Sequence, residues 1–136
     1  MFSLDKIKRQ ADFLHKYGVR DFELTGGEPG EHSEVEEACK YIKSMSPDCK
    51  LAVITNGALC TKDVFNDIDE VLVSYHLSQS NKSYDKAMFP CGCTWSKVSK
   101  TVAAAKAHKK IVRTNTVVGT FNIDDLLSIS EDLVKL

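Results

Sequence analysis

The sequence predicts an α/β fold in which about four parallel strands alternate with about five helices. Four short β-favouring runs stand apart from one another, at residues 21 to 25, 51 to 54, 70 to 75 and 111 to 118. The segments around these runs carry apolar residues at helical spacing. Because strands that alternate with amphipathic helices form right-handed βαβ units, the four strands are expected to lie parallel in one sheet.

Apolar spacing and end signals indicate the first two helices. The first is predicted over residues 4 to 17, where Gly18 provides the stop. Its apolar positions are Leu4, Ile7, Ala11 and Leu14. The second helix is predicted to begin at a capping box of Ser33 and Glu36 and to end before Pro47. The strand that follows, Leu51-Ala52-Val53-Ile54, has the continuous apolar character of a strand buried on both faces.

Three further helices are predicted between and after the remaining strands. Thr61 is expected to cap a short helix before the third strand. The inward-facing residues of that helix would be Val64, Phe65 and Ile68. Ser96 is the predicted cap of the helix before the last strand, and Asn122 is the predicted cap of the final helix.

Composition and charge argue against several classes of function. The chain has 136 residues, of which 43% are hydrophobic, and this fits a single domain over residues 1–136. Its 18 basic and 19 acidic residues nearly cancel without a long run of one sign, which argues against a nucleic-acid or anionic-membrane surface. No apolar run reaches the roughly 20 residues of a membrane span, and the N-terminus lacks a signal-peptide pattern. We therefore expect a soluble, cytoplasmic protein that binds a small molecule.

The stretch Thr25-Gly26-Gly27-Glu28-Pro29 ends the first strand and has the features of a ligand loop. Its two glycines lack Cβ atoms, so the backbone can take positive φ and admit a ligand close to its peptide groups. Pro29 favours extended geometry at Glu28, which keeps this carboxylate in the loop, where it can receive a cationic group. A plain strand-to-helix turn is the alternative, but a turn requires neither the glutamate nor the proline.

The same stretch resembles the Gly-Gly-Glu-Pro motif of radical S-adenosylmethionine (SAM) enzymes. In that family the motif closes the second strand and contacts the methionine amino group of SAM. The resemblance extends over nearly the whole chain, which corresponds to the middle four strands of a six-stranded partial (β/α) barrel. It implies that Gly26, Gly27, Glu28 and Pro29 lie against the cofactor, beyond the carboxyl ends of the strands.

The ends of the second and third strands resemble two more positions of the family. Asn56 stands in a Thr-Asn-Gly sequence, which the family often has near the SAM pocket, although on residue type alone an ordinary turn is an equal alternative. Ser74 and His76 match a Ser-x-Asp or Ser-x-Asn pattern that reaches the ribose and carboxylate of SAM, with histidine in place of the acid or amide. For His76 the alternative is an ordinary polar loop residue.

The last strand resembles the family pattern Gly-x-Ile-x-Gly-x-x-Glu, which places apolar and backbone groups against adenine. Here the corresponding residues are Asn115, Val117, Gly119 and Asn122. The resemblance implies that adenine packs on Val117. A buried strand would contain such a branched residue in any case.

The chain departs from the family at the iron-sulfur segment. Its cysteines are Cys39, Cys49, Cys60, Cys91 and Cys93, and none of them stand in the Cys-x3-Cys-x2-Cys spacing with which the family ligates a [4Fe-4S] cluster. Cys39 lies on the apolar stripe of the second helix and is expected in the core. Cys91 and Cys93 are two thiols in a long aperiodic segment, fewer than the four ligands that zinc usually takes, so we assign no metal ligands.

The leading hypothesis is an incomplete radical SAM core domain. The resemblance implies that an intact member cleaves SAM reductively and uses the 5′-deoxyadenosyl radical to abstract hydrogen, whereas this chain alone is expected to be inactive. The alternatives are a non-catalytic SAM- or nucleotide-binding module, a degenerate remnant, and an unrelated doubly wound α/β domain. Since the first and sixth strands of the family are missing, we expect a fragment whose exposed sheet edges are open to association.

Overall fold

The computed structural model of the protein describes residues 3–81 and 94–136, which form one parallel sheet and four α-helices. The helices are α1 (Leu4–Lys16), α2 (Val35–Met45), α3 (Trp95–Ala107) and α4 (Leu126–Val134). The strands are β1 (Asp21–Leu24), β2 (Lys50–Thr55), β3 (Glu70–Ser74) and β4 (Ile111–Asn115), and short 3-10 helices lie at Pro29–Glu31, Ala58–Thr61 and Ile123–Asp125. The strand order is β1-β2-β3-β4 and every pairing is parallel, which confirms the predicted fold class.

The α-helices of the described residues pack on one face of the sheet. Each of them contributes to a single hydrophobic core, together with every second residue of the two central strands, which are Leu51, Val53, Val71 and Val73. The residues that alternate with them lie on the opposite face of the sheet and are only half-buried. They are Ala52, Ile54, Leu72 and Ser74. β2 is therefore not buried on both faces as its sequence suggested. Helices on one face and sequential strand order fit a partial (β/α) barrel and differ from a doubly wound sheet.

The predicted short helix after Thr61 does not form. The connection from β2 to β3 instead consists of the 3-10 helix Ala58–Thr61 followed by turns. Its predicted inward residues, Val64, Phe65 and Ile68, are nevertheless buried in the core. The segment from residue 62 to 69 contains three aspartates and an asparagine, whose side chains compete with helical backbone hydrogen bonds and favour turns.

Two predicted helix caps also differ in the structure. The capping box of Ser33 and Glu36 is not formed, because the Glu36 carboxylate accepts a hydrogen bond from the amide of Asp63 (3.1 Å) in the β2–β3 connection. Thr94 rather than Ser96 caps α3, since its hydroxyl accepts a hydrogen bond from an amide of the first turn (3.3 Å). At α2 a tertiary contact of Glu36 thus takes the place of the predicted capping box, whereas at α3 the hydroxyl of a neighbouring residue provides the cap.

Two carboxylates hold α4 against the segment that follows β3. Asp132 is 5% exposed, and its carboxylate accepts hydrogen bonds from the Tyr75 hydroxyl (2.9 Å) and the Gln79 amide (2.8 Å). Asp125 accepts from both the amide (2.8 Å) and the hydroxyl (2.6 Å) of Ser78. Hydrogen bonds of this kind favour the charged form of a carboxyl group. The contact of α4 with this segment therefore depends on two ionised aspartates.

We expect the stability of the protein to fall as the pH drops below about 4, the ordinary range of an aspartate. Burial raises the pKa of Asp125 and Asp132, but hydrogen bonds from the segment after β3 outweigh it and lower both pKa values. In acid the unfolded chain then binds more protons than the folded chain, so stability is present above the ordinary pKa and is lost as the pH falls through the folded values.

Urea unfolding at a series of pH values measures this loss. In Asp132→Asn, which removes one titrating group, stability near neutral pH should be lower and the acid loss shallower. If the free energy of unfolding falls equally steeply with decreasing pH in wild type and in Asp132→Asn, Asp132 does not contribute to the acid loss of stability.

Candidate functional site

The loops that follow the four strands lie at one edge of the sheet. Because all the strands are parallel, their carboxyl ends point the same way, and this is the edge at which ligands bind in such sheets. The residues singled out in the sequence lie at these four strand ends. The structure thus brings the four predicted loops to a common edge in the order of the chain.

The loop after β1 exposes a pair of glycines in left-handed geometry. Gly26 has φ +94° and Gly27 has φ +40°, as the sequence predicted. Both are exposed, and a Cβ atom added to either would meet no described residue within 4 Å. The peptide groups of this loop therefore border open space, which satisfies the steric requirement for a ligand that contacts backbone.

The Glu28 carboxylate joins the loop after β1 to the loop after β2. Its Oε1 atom accepts hydrogen bonds from the Gly30 amide (2.8 Å) and the Thr55 hydroxyl (2.7 Å). Its Oε2 atom accepts one from the Asn56 amide (2.6 Å). A carboxylate offers about four lone-pair directions, so within the described residues one direction on Oε2 is left for a ligand. The glutamate is thus a brace between two loops as well as a candidate ligand contact.

The Thr-Asn-Gly sequence after β2 forms a tight turn packed against α3. The Asn56 side chain accepts a hydrogen bond from the Ala58 amide (3.1 Å), and Gly57 has φ +101°. A Cβ atom on Gly57 would lie 2.8 Å from the carbonyl carbon of Lys97 and from the amide nitrogen of Val98. The turn expected from residue type is therefore present, and the Asn56 amide also ties it to Glu28.

The ends of β3 and β4 are joined in a similar way. Ser74 is paired in register with Asn115, so the two side chains lie side by side on the open face of the sheet. The Nδ1 atom of His76 accepts a hydrogen bond from the Val117 amide (3.1 Å). Desolvation by burial lowers the pKa of His76, so the imidazole is uncharged near pH 7, where an unperturbed histidine with pKa of about 6.5 is already mostly neutral.

Asn122 has a role that the sequence did not reveal. It is 2% exposed and makes no side-chain cap, although it was predicted to cap the final helix. Its Nδ2 atom donates to the carbonyls of His76 and Val117 (both 2.8 Å), and its Oδ1 atom accepts from the Gly119 amide (2.9 Å). One carboxamide therefore fixes the loop after β4 to the end of β3.

The predicted last strand is shorter in the structure, and this changes the surroundings of Val117. β4 ends at Asn115, where side-chain hydrogen bonds such as that of Asn122 replace the strand ladder. Val117 lies beyond the strand and is 53% exposed, so it is not a buried strand residue. An exposed apolar side chain at this edge is free to pack against a ligand.

The four loops are thus joined in two pairs, and a cavity beside them is bordered by the loop after β1 alone. This cavity of about 890 Å³ lies between α1, β1 and α2, and Gly26, Gly27 and Glu28 form part of its rim. Asn56 does not line this cavity, and neither do the candidate residues at the ends of β3 and β4, which are Ser74, His76, Asn115, Val117 and Gly119. A ligand that touches all four loops would therefore lie over the edge of the sheet and only partly in this cavity.

The described cysteines do not form a metal centre. Within residues 3–81 and 94–136, no group of three or more His, Cys, Asp or Glu side chains is placed to hold a metal ion. Cys39 and Cys49 are buried, and Cys60 is half-buried. Burial, with smaller contributions from Asp67 and Glu36, raises the pKa of Cys39 to about 12, so this thiol stays protonated. Cys91 and Cys93 lie outside the described residues.

None of the helices in the described part of the chain has both the length and the apolar character that a bilayer crossing requires.

A parallel sheet with helices on one face and sequential strand order is consistent with part of a (β/α) barrel, a class of fold that binds ligands at the carboxyl edge of its strands. The sequence matches the radical SAM superfamily over residues 1–133, and the chain therefore belongs to that superfamily.

Curated relatives share shorter stretches with this chain. An S-adenosylmethionine-dependent nucleotide dehydratase of Thermoplasmatales archaeon (strain ISO4-H5) is 39% identical over 51 residues, which cover 38% of this chain and 18% of that protein. A GTP 3',8-cyclase of Microcystis aeruginosa is 41% identical over 68 residues, covering 50% of this chain and 19% of the cyclase. The antilisterial bacteriocin subtilosin biosynthesis protein AlbA of Bacillus subtilis is 27% identical over 115 residues, which cover 82% of this chain and 25% of that protein. The chain thus spans a quarter or less of each of these proteins.

Proposed function

We propose that this chain is the SAM-binding part of a radical SAM domain and holds SAM over the carboxyl edge of β1 to β4. The observation that carries the proposal is the exposed Gly26–Gly27 backbone, which Glu28 fixes to the loop after β2. Family membership supports SAM and a [4Fe-4S] cluster as the cofactors of the superfamily. The positions of the candidate residues at the ends of the four strands support a site for SAM on this chain.

The methionine end of SAM would be bound at the loop after β1. The ammonium group has three donors, and the peptide carbonyls of Gly26 and Gly27 together with the remaining lone pair of Glu28 offer a matching set of acceptors. Pro29 carries no amide hydrogen, so the rim presents acceptors and no competing donor at that position. A cationic group next to a carboxylate that is already fixed gains electrostatic stabilisation without a reordering cost.

The adenosyl end would be bound by the loops after β2, β3 and β4. Ser74 and Asn115 are adjacent on the open face and offer hydroxyl and carboxamide groups to the ribose and the carboxylate of SAM. Neutral His76 adds a further polar group, and Asn56 lies next to Glu28. Adenine would pack on the exposed Val117, with the backbone at Gly119 beside it.

The residues of this chain do not supply the iron-sulfur part of the domain. In the superfamily, a [4Fe-4S] cluster supplies the electron that cleaves SAM reductively and so starts radical chemistry. These 136 residues contain no Cys-x3-Cys-x2-Cys segment, and the described cysteines do not converge. We therefore propose that residues 1–136 form one incomplete domain that binds SAM and does not cleave it alone.

The relatives do not agree on a substrate, and we assign none. Two of them are named as a nucleotide dehydratase and a GTP cyclase, and the third is named for bacteriocin biosynthesis. The outer edges of β1 and β4 have no strand partner among the described residues, so we propose that these edges are open to association with another polypeptide. We also propose that the protein is cytoplasmic.

Isothermal titration calorimetry with SAM and 5′-methylthioadenosine tests the SAM site. The second compound keeps the adenosyl group and the sulfur with its methyl group, but it is a neutral thioether and lacks both the amino acid end and the sulfonium charge of SAM. We expect SAM to bind at least about ten-fold more tightly, which corresponds to roughly 1.4 kcal/mol from contacts of the amino acid end with the Gly26–Gly27 rim together with the sulfonium charge. Equal affinities would remove the rim from the site, and no binding of either compound would favour a degenerate remnant.

Anaerobic reconstitution with iron and sulfide tests the second part of the proposal. We expect no stable cluster and no SAM turnover. A stable cluster with turnover would show that this chain carries ligands that we have not assigned.

A further inference from the structure

We infer that Thr55 is a positioning residue of the SAM site, because its hydroxyl sets the orientation of the Glu28 carboxylate and thereby of the Gly26–Gly27 rim. The inference rests on the proposed function and gives a role to the threonine of the Thr-Asn-Gly sequence, in which the resemblance assigned a site role to Asn56 alone. Thr55 closes β2 and is 2% exposed, so it reaches a ligand only through Glu28.

The Thr55 hydroxyl has one proton and two lone pairs, and the structure accounts for the proton. The hydroxyl donates to Oε1 of Glu28 (2.7 Å), and the Gly57 amide donates to the hydroxyl oxygen (3.0 Å). Since the amide can only donate, the hydroxyl proton is directed towards the carboxylate. The direction of this hydrogen bond is therefore fixed by the backbone of the turn.

The turn is itself anchored to α3. The carbonyl of Gly57 accepts a hydrogen bond from the hydroxyl of Thr101 (2.7 Å), and Thr101 is fully buried in the helix. A chain of hydrogen bonds thus runs from Thr101 through Gly57 and Thr55 to Glu28, and we call it the threonine relay. It connects the hydrophobic core under α3 to the glycine rim at the first loop.

The relay has a chemical requirement that distinguishes Thr55 from a packing residue. Valine has nearly the same shape as threonine, but its methyl group would leave Oε1 of Glu28 with the Gly30 amide as its one remaining donor among the described residues, and the Gly57 amide would lose its acceptor. Serine keeps the hydroxyl and loses only the methyl group. A positioning role therefore predicts that Thr55→Ser retains the function that Thr55→Val loses, whereas a packing role predicts the opposite order.

The experiment compares Thr55→Val, Thr55→Ser and the control Thr61→Val. The Thr61 hydroxyl donates to the Ala58 carbonyl (3.2 Å), so its replacement removes a nearby hydrogen bond outside the relay. Amide hydrogen exchange without ligand is the first readout. We expect exchange at Gly30 and Asn56, whose amides donate to Glu28, to become about ten-fold faster in Thr55→Val alone.

SAM affinity by calorimetry is the second readout. We expect Thr55→Val to bind SAM about five- to ten-fold more weakly, with Thr55→Ser and Thr61→Val within about two-fold of wild type. If Thr55→Val fails to fold, Thr55→Ala removes the same hydroxyl with a smaller side chain and is judged by the same criteria.

The outcomes separate the inference from the proposed function. Wild-type protein that binds no SAM overturns the proposed function, and the inference with it. Wild-type protein that binds SAM, while Thr55→Val binds it equally well or exchanges these amides at the wild-type rate, overturns the inference alone. A loss of affinity in Thr55→Ser as large as that in Thr55→Val also overturns it.

Discussion

Replacing Glu28 with alanine should weaken SAM binding by about ten-fold or more and lower the free energy of unfolding by about 2 to 4 kcal/mol. The carboxylate accepts hydrogen bonds from Gly30, Thr55 and Asn56, so its removal leaves three donors without their acceptor. Each unsatisfied donor that is shielded from water costs free energy, and the loops after β1 and β2 lose their direct connection. The effect on binding follows because the glycine rim is no longer fixed.

Glu31→Ala is the matched control for this variant. Glu31 is an exposed glutamate in the 3-10 helix that Glu28 caps, so its removal changes the net charge equally without breaking the brace. Calorimetry with SAM and urea unfolding of both variants measure the two effects. A Glu28→Ala protein as stable as Glu31→Ala would show that the three hydrogen bonds contribute little. Unchanged SAM affinity in a folded Glu28→Ala protein would separate the brace from ligand binding.

Replacing Gly57 with alanine should destabilise the protein by about 3 kcal/mol or more, combining left-handed strain of roughly 1 kcal/mol with a backbone clash. The residue has φ +101°, where a side chain is rarely accommodated. The added Cβ atom would also lie 2.8 Å from backbone atoms of Lys97 and Val98, and neither can rotate away. The turn would have to move away from α3, which disturbs the Thr101 hydrogen bond to its carbonyl.

Two other glycines separate the contributions of strain and clash. Gly18 has φ +91° with no described residue within 4 Å of an added Cβ, so Gly18→Ala should show the strain alone, about 1 kcal/mol. Gly30 lacks positive φ, but its added Cβ would lie 2.6 Å from the Ala58 carbonyl carbon, so Gly30→Ala should show the clash. Thermal or urea unfolding of the three variants gives the comparison. If Gly57→Ala is no less stable than Gly18→Ala, the close contact with α3 is not rigid.

Much of the fold could be predicted because it follows from local patterns. The four strands, their parallel arrangement and the helices α1, α2, α3 and α4 agree with apolar spacing and with the alternation of elements. The differences occur where several polar residues stand close together. After Thr61 the aspartates favoured turns over a helix. At the start of α2 the Glu36 carboxylate bonds to the β2–β3 connection instead of closing the predicted capping box, and α3 is capped by Thr94 instead of Ser96.

Within the candidate site, the sequence indicated the loops but not the contacts between them. Gly26 and Gly27 were expected to take positive φ, and they do so. The contact of Thr55 with Glu28 could not be predicted, although a hydroxyl at a buried position of β2, in alternation with Leu51 and Val53, was a signal that a polar partner was needed. Asn122 was interpreted as a helix cap because asparagine is common there, and its contacts 46 residues away were not visible in the sequence.

The alternation of strands and helices, the parallel direction of the strands and the edge at which the polar loops meet were predictable from the sequence alone, because hydrophobic spacing and glycine positions act over a few residues. Only the tertiary structure decided which groups receive the hydrogen bonds of those loops. The Glu28 carboxylate, which is free in the extended chain, bonds to residues 27 and 28 positions away because parallel pairing places β2 beside β1. Such partners depend on strand register and helix packing, which no local pattern specifies.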